Sequence, residues 1–537
     1  MTETIVEPET TVRAAVSMGA ITAVSRAVGF VRVLVVAAVL GTTYLGNAFQ
    51  SANSLSNVVF ELVAAGALSA VLVPAFVDLL DVGDERGAEE VAGGVLGIAL
   101  AGLGLIAVIG VVAAPWLARL LTLGVPAEVA VEQRELVTFL LRFFVPQIVL
   151  YAAGTVAIGV LYAKRRFWAT AAAPIGNTVV MVACLVAFRV VAGDDPGLDL
   201  SAGSQALLVV AGTGGVFAFV ATLLSVCWKS GFRLRPRWPA GDRRVGRVLR
   251  QAGWGVMVHT SAGVLLGGAV LAGAAVPGGV VAYQVAWVFF LAPYGIFAQP
   301  VHTAILPELV AEARQADLSR FRMSVRWSLE RMAIPVLPIA ALLAALSVPA
   351  MRAVSFGQAQ SGDGPHLLAV AVATLALGLF PYGAFLLLAR AYYALGDSRT
   401  PGVVALGAAG VGAAVMAVGA PLTQGAARIA VLGLAHTAAQ VVALAVLARG
   451  LARRCGGTVV PAVVGFVAVV SVVVGGATLA TSRFLLQDPA SRTADLLTTA
   501  GLGTVAALTV VAVFVAIGLR GRLTTRPPVD GRHGAIA

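Results

Sequence analysis

The chain is 537 residues long, 59% hydrophobic and only 12% charged, with a mean hydropathy of +0.93. A soluble globular protein carries about 25% charged residues, so this composition excludes a water-soluble enzyme and points to a polytopic membrane protein. The formal charge of +11 does not indicate nucleic acid, because the basic residues fall in short clusters between apolar runs, the pattern of cytoplasmic loops.

The first residues, MTETIVEPET, are acidic and polar and lack the basic start of a cleavable signal peptide, so the first apolar run is expected to remain in the protein. A helix needs about 20 mostly apolar residues to cross ~30 Å of hydrocarbon. Fourteen runs qualify: 14–40, 46–80, 91–118, 136–163, 168–192, 203–228, 248–274, 279–305, 326–349, 366–394, 401–420, 427–449, 459–481 and 496–519. The expected fold class is therefore an all-α polytopic membrane protein with about 14 transmembrane helices. Cys184, Cys227 and Cys455 have neither metal-ligand nor disulfide-framework spacing and read as core residues.

Loops after even-numbered runs hold Arg86, the Lys164-Arg165-Arg166 cluster, eight basic residues from Lys229 to Arg250, and Arg453 with Arg454. Loops after odd-numbered runs are poor in Lys and Arg and carry Asp194, Asp195, Asp199 and Asp363. Both termini are accordingly expected in the cytoplasm. An internal repeat is visible as well. Val73-Pro74-Ala75-Phe76-Val77 is echoed 233 residues later by Leu306-Pro307-Glu308-Leu309-Val310, and Leu161-Tyr162-Ala163 is echoed 231 residues later by Tyr392-Tyr393-Ala394. Runs 1–6 thus repeat as runs 7–12 in the same orientation, with a pseudo-axis along the membrane normal. The expected organisation is a disordered cytoplasmic N-terminus over 1–11, an N-lobe over 12–230, a basic linker over 231–247, a C-lobe over 248–450, two further helices within 451–519 and a disordered tail over 520–537.

Arg26 and Arg32 lie inside the first run, where a central arginine costs ~2.5–3.5 kcal/mol even on the most lenient insertion scales and so faces a partner or a water-filled cavity. Six residues separate them, about 120° around a helix and ~9 Å along it. They can line one broad cavity wall, or Arg32 can snorkel toward the outer interface near Leu40. Guanidinium suits a phosphate or diphosphate, since it stays charged when desolvated and offers a fork of donors. Glu61, in run 2, is the one acid well inside an apolar run, and it is either a partner for these arginines or a structural ion-pair member. Asn47 and Asn57 on the same hairpin are turn or capping residues or ligand contacts. Arg142 lies six residues into run 4, an interfacial anchor or a further cavity cation. His259 reads as a hydrogen-bonded core residue rather than a proton carrier. The expected substrate-binding set is Arg26, Arg32, Asn47, Asn57, Glu61 and Arg142. Pro146, Pro174, Pro293, Pro300, Pro307 and Pro335 permit kinks within or at the ends of helices.

The run Ser25-Arg26-Ala27-Val28-Gly29-Phe30-Val31-Arg32, followed by Gly41, Asn47-Ala48-Phe49, Gly66-Ala67-Leu68 and Val73-Pro74, resembles the opening of the MurJ/MviN family of lipid II flippases. The resemblance continues through Arg142, Pro146 and Leu161-Tyr162-Ala163, through Leu291-Ala292-Pro293-Tyr294-Gly295, and through the element from Ala391 to Pro401, covering roughly residues 12–450. It implies the two-lobed fold of the MOP superfamily, which also contains the MATE transporters, and translocation of an undecaprenyl-diphosphate-linked peptidoglycan precursor for cell-wall synthesis. Arg26 and Arg32 match the two family arginines implicated in binding the diphosphate. The family's further arginines fall on Phe60 and near Val288 here, its common Asp falls on Asn47, and its Glu falls on Ala65, with Glu61 one turn earlier. The chain reads as a divergent branch.

The resemblance implies a transporter in the bacterial cytoplasmic membrane, with lipid II, membrane lipids and cell-wall synthesis proteins as partners. No cofactor or metal is implied, no Walker-type glycine loop is present, and coupling to an ion or to the membrane potential stays open. Competing readings are an exporter of another polyprenyl-linked oligosaccharide, a MATE-like drug or cation antiporter, which should line its cavity with acids, and a polyprenyl-phosphate glycosyltransferase. The last needs an outer carboxylate, and Asp194, Asp195 and Asp199 read instead as a solvated turn.

Overall fold

The computed structural model describes residues 8–67, 72–238, 243–485 and 491–516; side chains of 8–20, 22–23, 59–67, 74, 243–256 and 259 fall outside that description. The expected tails therefore lie largely outside the described residues, and so do the side chains of Glu61, Phe60 and His259. Every regular element among the described residues is helical.

The helices are α1 (Pro8–Leu40), α2 (Tyr44–Ala67), α3 (Val73–Asp81), α4 (Glu85–Val112), α5 (Ala114–Leu121), α6 (Ala127–Phe144), α7 (Gln147–Ala163), α8 (Phe167–Ala192), α9 (Ala202–Val209), α10 (Gly215–Lys229) and α11 (Arg243–Gly273). They continue as α12 (Gly279–Pro293), α13 (Gln299–Ala304), α14 (Leu306–Arg314), α15 (Leu318–Ala345), α16 (Ser347–Val354), α17 (Gly364–Ala376), α18 (Leu379–Ala394), α19 (Arg399–Gly419), α20 (Gly425–Arg454), α21 (Ala462–Leu485) and α22 (Arg492–Ala516). Ten spans among the described residues are long and apolar enough to cross a membrane, and the bent pair α17–α18 makes eleven. With α1, α2 and α11, of 33, 24 and 31 residues, each of the fourteen expected runs has its helix.

Boundaries moved where polar residues sit on helices that outrun the apolar stretch. The first helix begins at Pro8, a residue suited to a first turn. The fourth span begins at Ala127 rather than 136, because Glu128, Glu132, Arg134 and Glu135 extend the helix past its apolar part. The long second run divides into α2 and α3, with Pro74 in the first turn of α3. Breaks inside spans follow backbone chemistry. Pro146 separates α6 from α7, a π-turn at Val210–Gly214 joins α9 to α10, and Pro293 precedes a second π-turn at Tyr294–Ala298.

The chain forms two compact units. The first comprises 1–288, 354–371 and 398–439, and the second comprises 289–353, 372–397 and 440–537. Within the first unit α11 packs along α2 and α19. In the first unit one apolar cluster gathers Leu40, Phe49, Leu140, Phe144, Leu185 and Phe188, with Phe49 and Phe144 edge to face at 5.6 Å. A second cluster unites Phe76, Ala92, Leu161, Leu223 and Phe232. In lipid, close packing of small residues replaces the hydrophobic drive; Gly412 of α19 lies against Leu265 and the Ala435 carbonyl, with no room for a side chain. In the second unit α15 packs on α21, and Ile334, Val467, Val510 and Phe514 form its apolar seam with α22.

Candidate functional site in the first unit

The environment of α1 changes along its length. Val36 through Leu40 are buried at its C-terminal end, whereas Val24, Arg26, Ala27 and Val31 are exposed. Arg26 and Arg32 flank Gly29, three residues from each, and the space where a Gly29 side chain would stand is open. In sequence the two arginines therefore stand on either side of an open position on an apolar helix.

Arg32 is half-buried and acts electrostatically on Tyr151 of α7. The Tyr151 hydroxyl donates to Asn57 Oδ1 of α2 at 3.0 Å. Helices α1, α2 and α7 thus converge on one polar junction. Arg32 belongs to this region, and Asn57 joins it through Tyr151, a residue that sequence reasoning missed. Its only signal was a tyrosine inside an apolar run, which is common. Glu61 lies outside the described side chains.

Asn47 departs from the expectation of a ligand contact. It is fully buried, its Nδ2 donates to the Val276 and Ala274 carbonyls at 2.7 and 3.3 Å, and its Oδ1 accepts from Val280 N–H at 3.0 Å. These bonds satisfy the amide and clip α2 to the turn between α11 and α12, so Asn47 is structural in this conformation. Two turns further along α2, Ser54 Oγ accepts from Gln284 Nε2 of α12 at 2.8 Å.

Arg142 is carried by α6. It lies fifteen residues into the helical run that begins at Ala127, in the exposed last turn of α6 just before the Pro146 break.

Beyond the buried end of α1 the backbone is tightly closed. Gly278, at φ +70°, sits against Thr42, and Gly357, at φ +59°, sits against Ala38; a Cβ on either glycine would overlap its neighbour. Of the loop aspartates, Asp194 pairs with Arg189, as a solvated turn residue would.

The chain matches the family described as Lipid II flippase MurJ over residues 36–489. That match starts after Arg26 and Arg32, so the reading of these two residues rests on their geometry. A probable lipid II flippase MurJ of Rhizobium tropici is 26% identical over 388 residues, covering 72% of this chain and 71% of that protein. A lipid II flippase MurJ of Burkholderia cenocepacia is 24% identical, covering 74% of this chain and 75% of its own length. Among solved structures, a lipid II flippase MurJ in an inward closed conformation superposes with a TM-score of 0.73 at 15% identity, over 94% of this chain and all of the other. An inward-facing multidrug resistance MATE transporter of the MOP superfamily follows at 0.61 and 13%, over 80% of this chain and 94% of that one. At these identities the structural likeness shows the shared fold. The sequence match, which takes in most of the chain, shows the family: this multi-pass membrane protein belongs to the lipid II flippase MurJ family.

Proposed function

We propose that the chain flips lipid II, the polyprenyl-diphosphate-linked peptidoglycan precursor, from the inner to the outer leaflet of the cytoplasmic membrane by alternating access. The observation that carries the mechanism is the pair Arg26 and Arg32 on either side of the open position at Gly29, with Arg32 near Tyr151. The forked guanidinium groups bind the diphosphate oxygens, and Tyr151 and Asn57 hold the Arg32 end of the clamp. The polyprenyl tail stays in lipid, because moving it through a polar passage gains nothing.

The basic loops support an orientation with both termini inside. In that orientation the buried end of α1 faces outward, and the Asn47 clip and the Gly278–Thr42 contact seal the outer side. The exposed part of α1 opens inward and receives the substrate. Rocking that breaks the outer contacts exposes the head group outside. An inside-negative potential favours outward passage of net negative charge by about 2.3 kcal/mol per charge per 100 mV, a drive that needs no nucleotide.

Reconstitution tests this reading. Full-length protein in liposomes should move fluorescently labelled lipid II between leaflets faster than empty liposomes do, and unlabelled lipid II should compete. Equal rates with and without protein contradict it. Competition by a different polyprenyl-diphosphate oligosaccharide, with none by lipid II, assigns another head group.

A further inference from the structure

A second basic site lies in the first unit where α4 begins, far along the chain from Arg26 and Arg32. After α10 the segment 232–238 carries no regular secondary structure and passes over the start of α4 as a strap. Phe232 is buried and Leu234 partly so, while Arg233, Arg235 and Arg237 are exposed. The backbone of this strap is pinned. Arg233 N–H donates to Glu89 Oε1 at 2.8 Å, and Arg237 N–H donates to the Gly93 carbonyl at 3.0 Å. Gly93 and Gly97 permit the approach, since a Cβ on either would overlap the carbonyl oxygen of Arg235 or Arg237. Lys164 adds a tie at the end of α7, donating to Glu85 Oε1 at 3.1 Å and to the Ser230 carbonyl at 3.2 Å.

The strap and the first turns of α4 enclose a cavity of about 430 Å³ lined by Arg86, Glu89, Glu90, Arg233, Arg235 and Arg237. Four guanidinium groups outnumber two carboxylates. Glu89 is engaged by the strap backbone, and Glu90 lies 4.0 Å from Arg237. Trp228 and Trp238 bracket the strap and are 72% and 75% exposed. Exposed tryptophans of this kind belong at the level of lipid head groups, and the basic loops put this end of α4 at the inner leaflet.

We propose that this cavity binds the phosphodiester of an anionic glycerophospholipid of the inner leaflet. The arginine forks match phosphate oxygens, and a negatively charged leaflet concentrates such lipid at a basic juxtamembrane segment. The tryptophan pair favours a lipid over free phosphate, because the rings need an amphipathic layer to occupy. Fixing the strap to α4 makes this a lipid-responsive support for the first unit, separate from the transport clamp.

Native mass spectrometry of the full-length protein tests it, with phosphatidylglycerol, phosphatidylcholine or inorganic phosphate offered in parallel. The expected result is preferential retention of phosphatidylglycerol, reduced about tenfold by the paired Arg86→Gln and Arg235→Gln substitution. Glu90→Gln should act in the opposite direction and strengthen retention, which separates loss of the site from loss of the fold. Equal retention of the two lipids, no effect of the arginine substitutions, or displacement of the lipid by inorganic phosphate overturns the proposal.

Discussion

Tyr151 on α7 donates its hydroxyl to Asn57 Oδ1 on α2 at 3.0 Å, and the same tyrosine feels the charge of Arg32 on α1. Replacing it by phenylalanine keeps the ring and removes only the bond, worth about 1 kcal/mol. Tyr151→Phe should therefore cost no more than about 1 kcal/mol of stability, a small shift in thermal unfolding, while lowering lipid II transport at equal incorporation. A large fall in melting temperature with normal transport per folded molecule would assign Tyr151 to packing alone.

Asn47 offers the reverse contrast. Its Nδ2 faces two backbone carbonyls, so Asn47→Asp sets acceptor against acceptor in a buried place. The expected loss is about 3 kcal/mol of stability, larger than for Asn47→Ala, and it is read from thermal unfolding in detergent. An aspartate variant as stable as the parent would show that α2 and the α11–α12 turn are held by something other than this amide.

The proposed outer seal can be probed at Gly278. A methyl group there overlaps Thr42, and the positive φ disfavours any side chain. Gly278→Ala should separate the two segments, and a cysteine introduced as Thr42→Cys should then label faster with a membrane-impermeant maleimide. Unchanged labelling contradicts the proposed seal.

Cys455 follows α20 at the Arg453-Arg454 cluster and is buried, which pushes its thiol above the usual cysteine range, partly opposed by Arg322 and Arg454. A raised pKa means less thiolate at neutral pH. Maleimide labelling of the folded protein at Cys455 should be slow at pH 7 and rise only in alkali, more steeply above pH ~8.5 than for an exposed cysteine. Rapid labelling at pH 7 would mean that this end of α20 opens.

The spans were legible because hydrocarbon thickness demands about 20 apolar residues, a requirement any run must meet. Helix starts were less legible, since Glu128, Glu132 and Arg134 sit on a helix that has left the apolar layer. Arg26 and Arg32 stood out as charges where none is cheap. Asn47 was ambiguous because its fate depends on carbonyls 227 and 229 residues away. Tyr151 was invisible for the same reason: its meaning comes from Asn57 and Arg32, and nothing local announces them. The arginine strap shows the pattern again, since its fixed register depends on Gly93 and Gly97 in a distant helix.

The central claim is that Arg26 and Arg32 clamp the diphosphate, and it is tested most directly by leaflet-exchange rates of labelled lipid II in liposomes. Protein carrying Arg32→Ala, Arg26→Ala or both is compared with the parent at equal incorporation. Each single substitution should lower the rate about tenfold or more, as loss of a charge-assisted bond implies, with Arg32→Lys intermediate because an ammonium keeps the charge without the fork. A double alanine variant that transports lipid II at the parental rate would contradict the account.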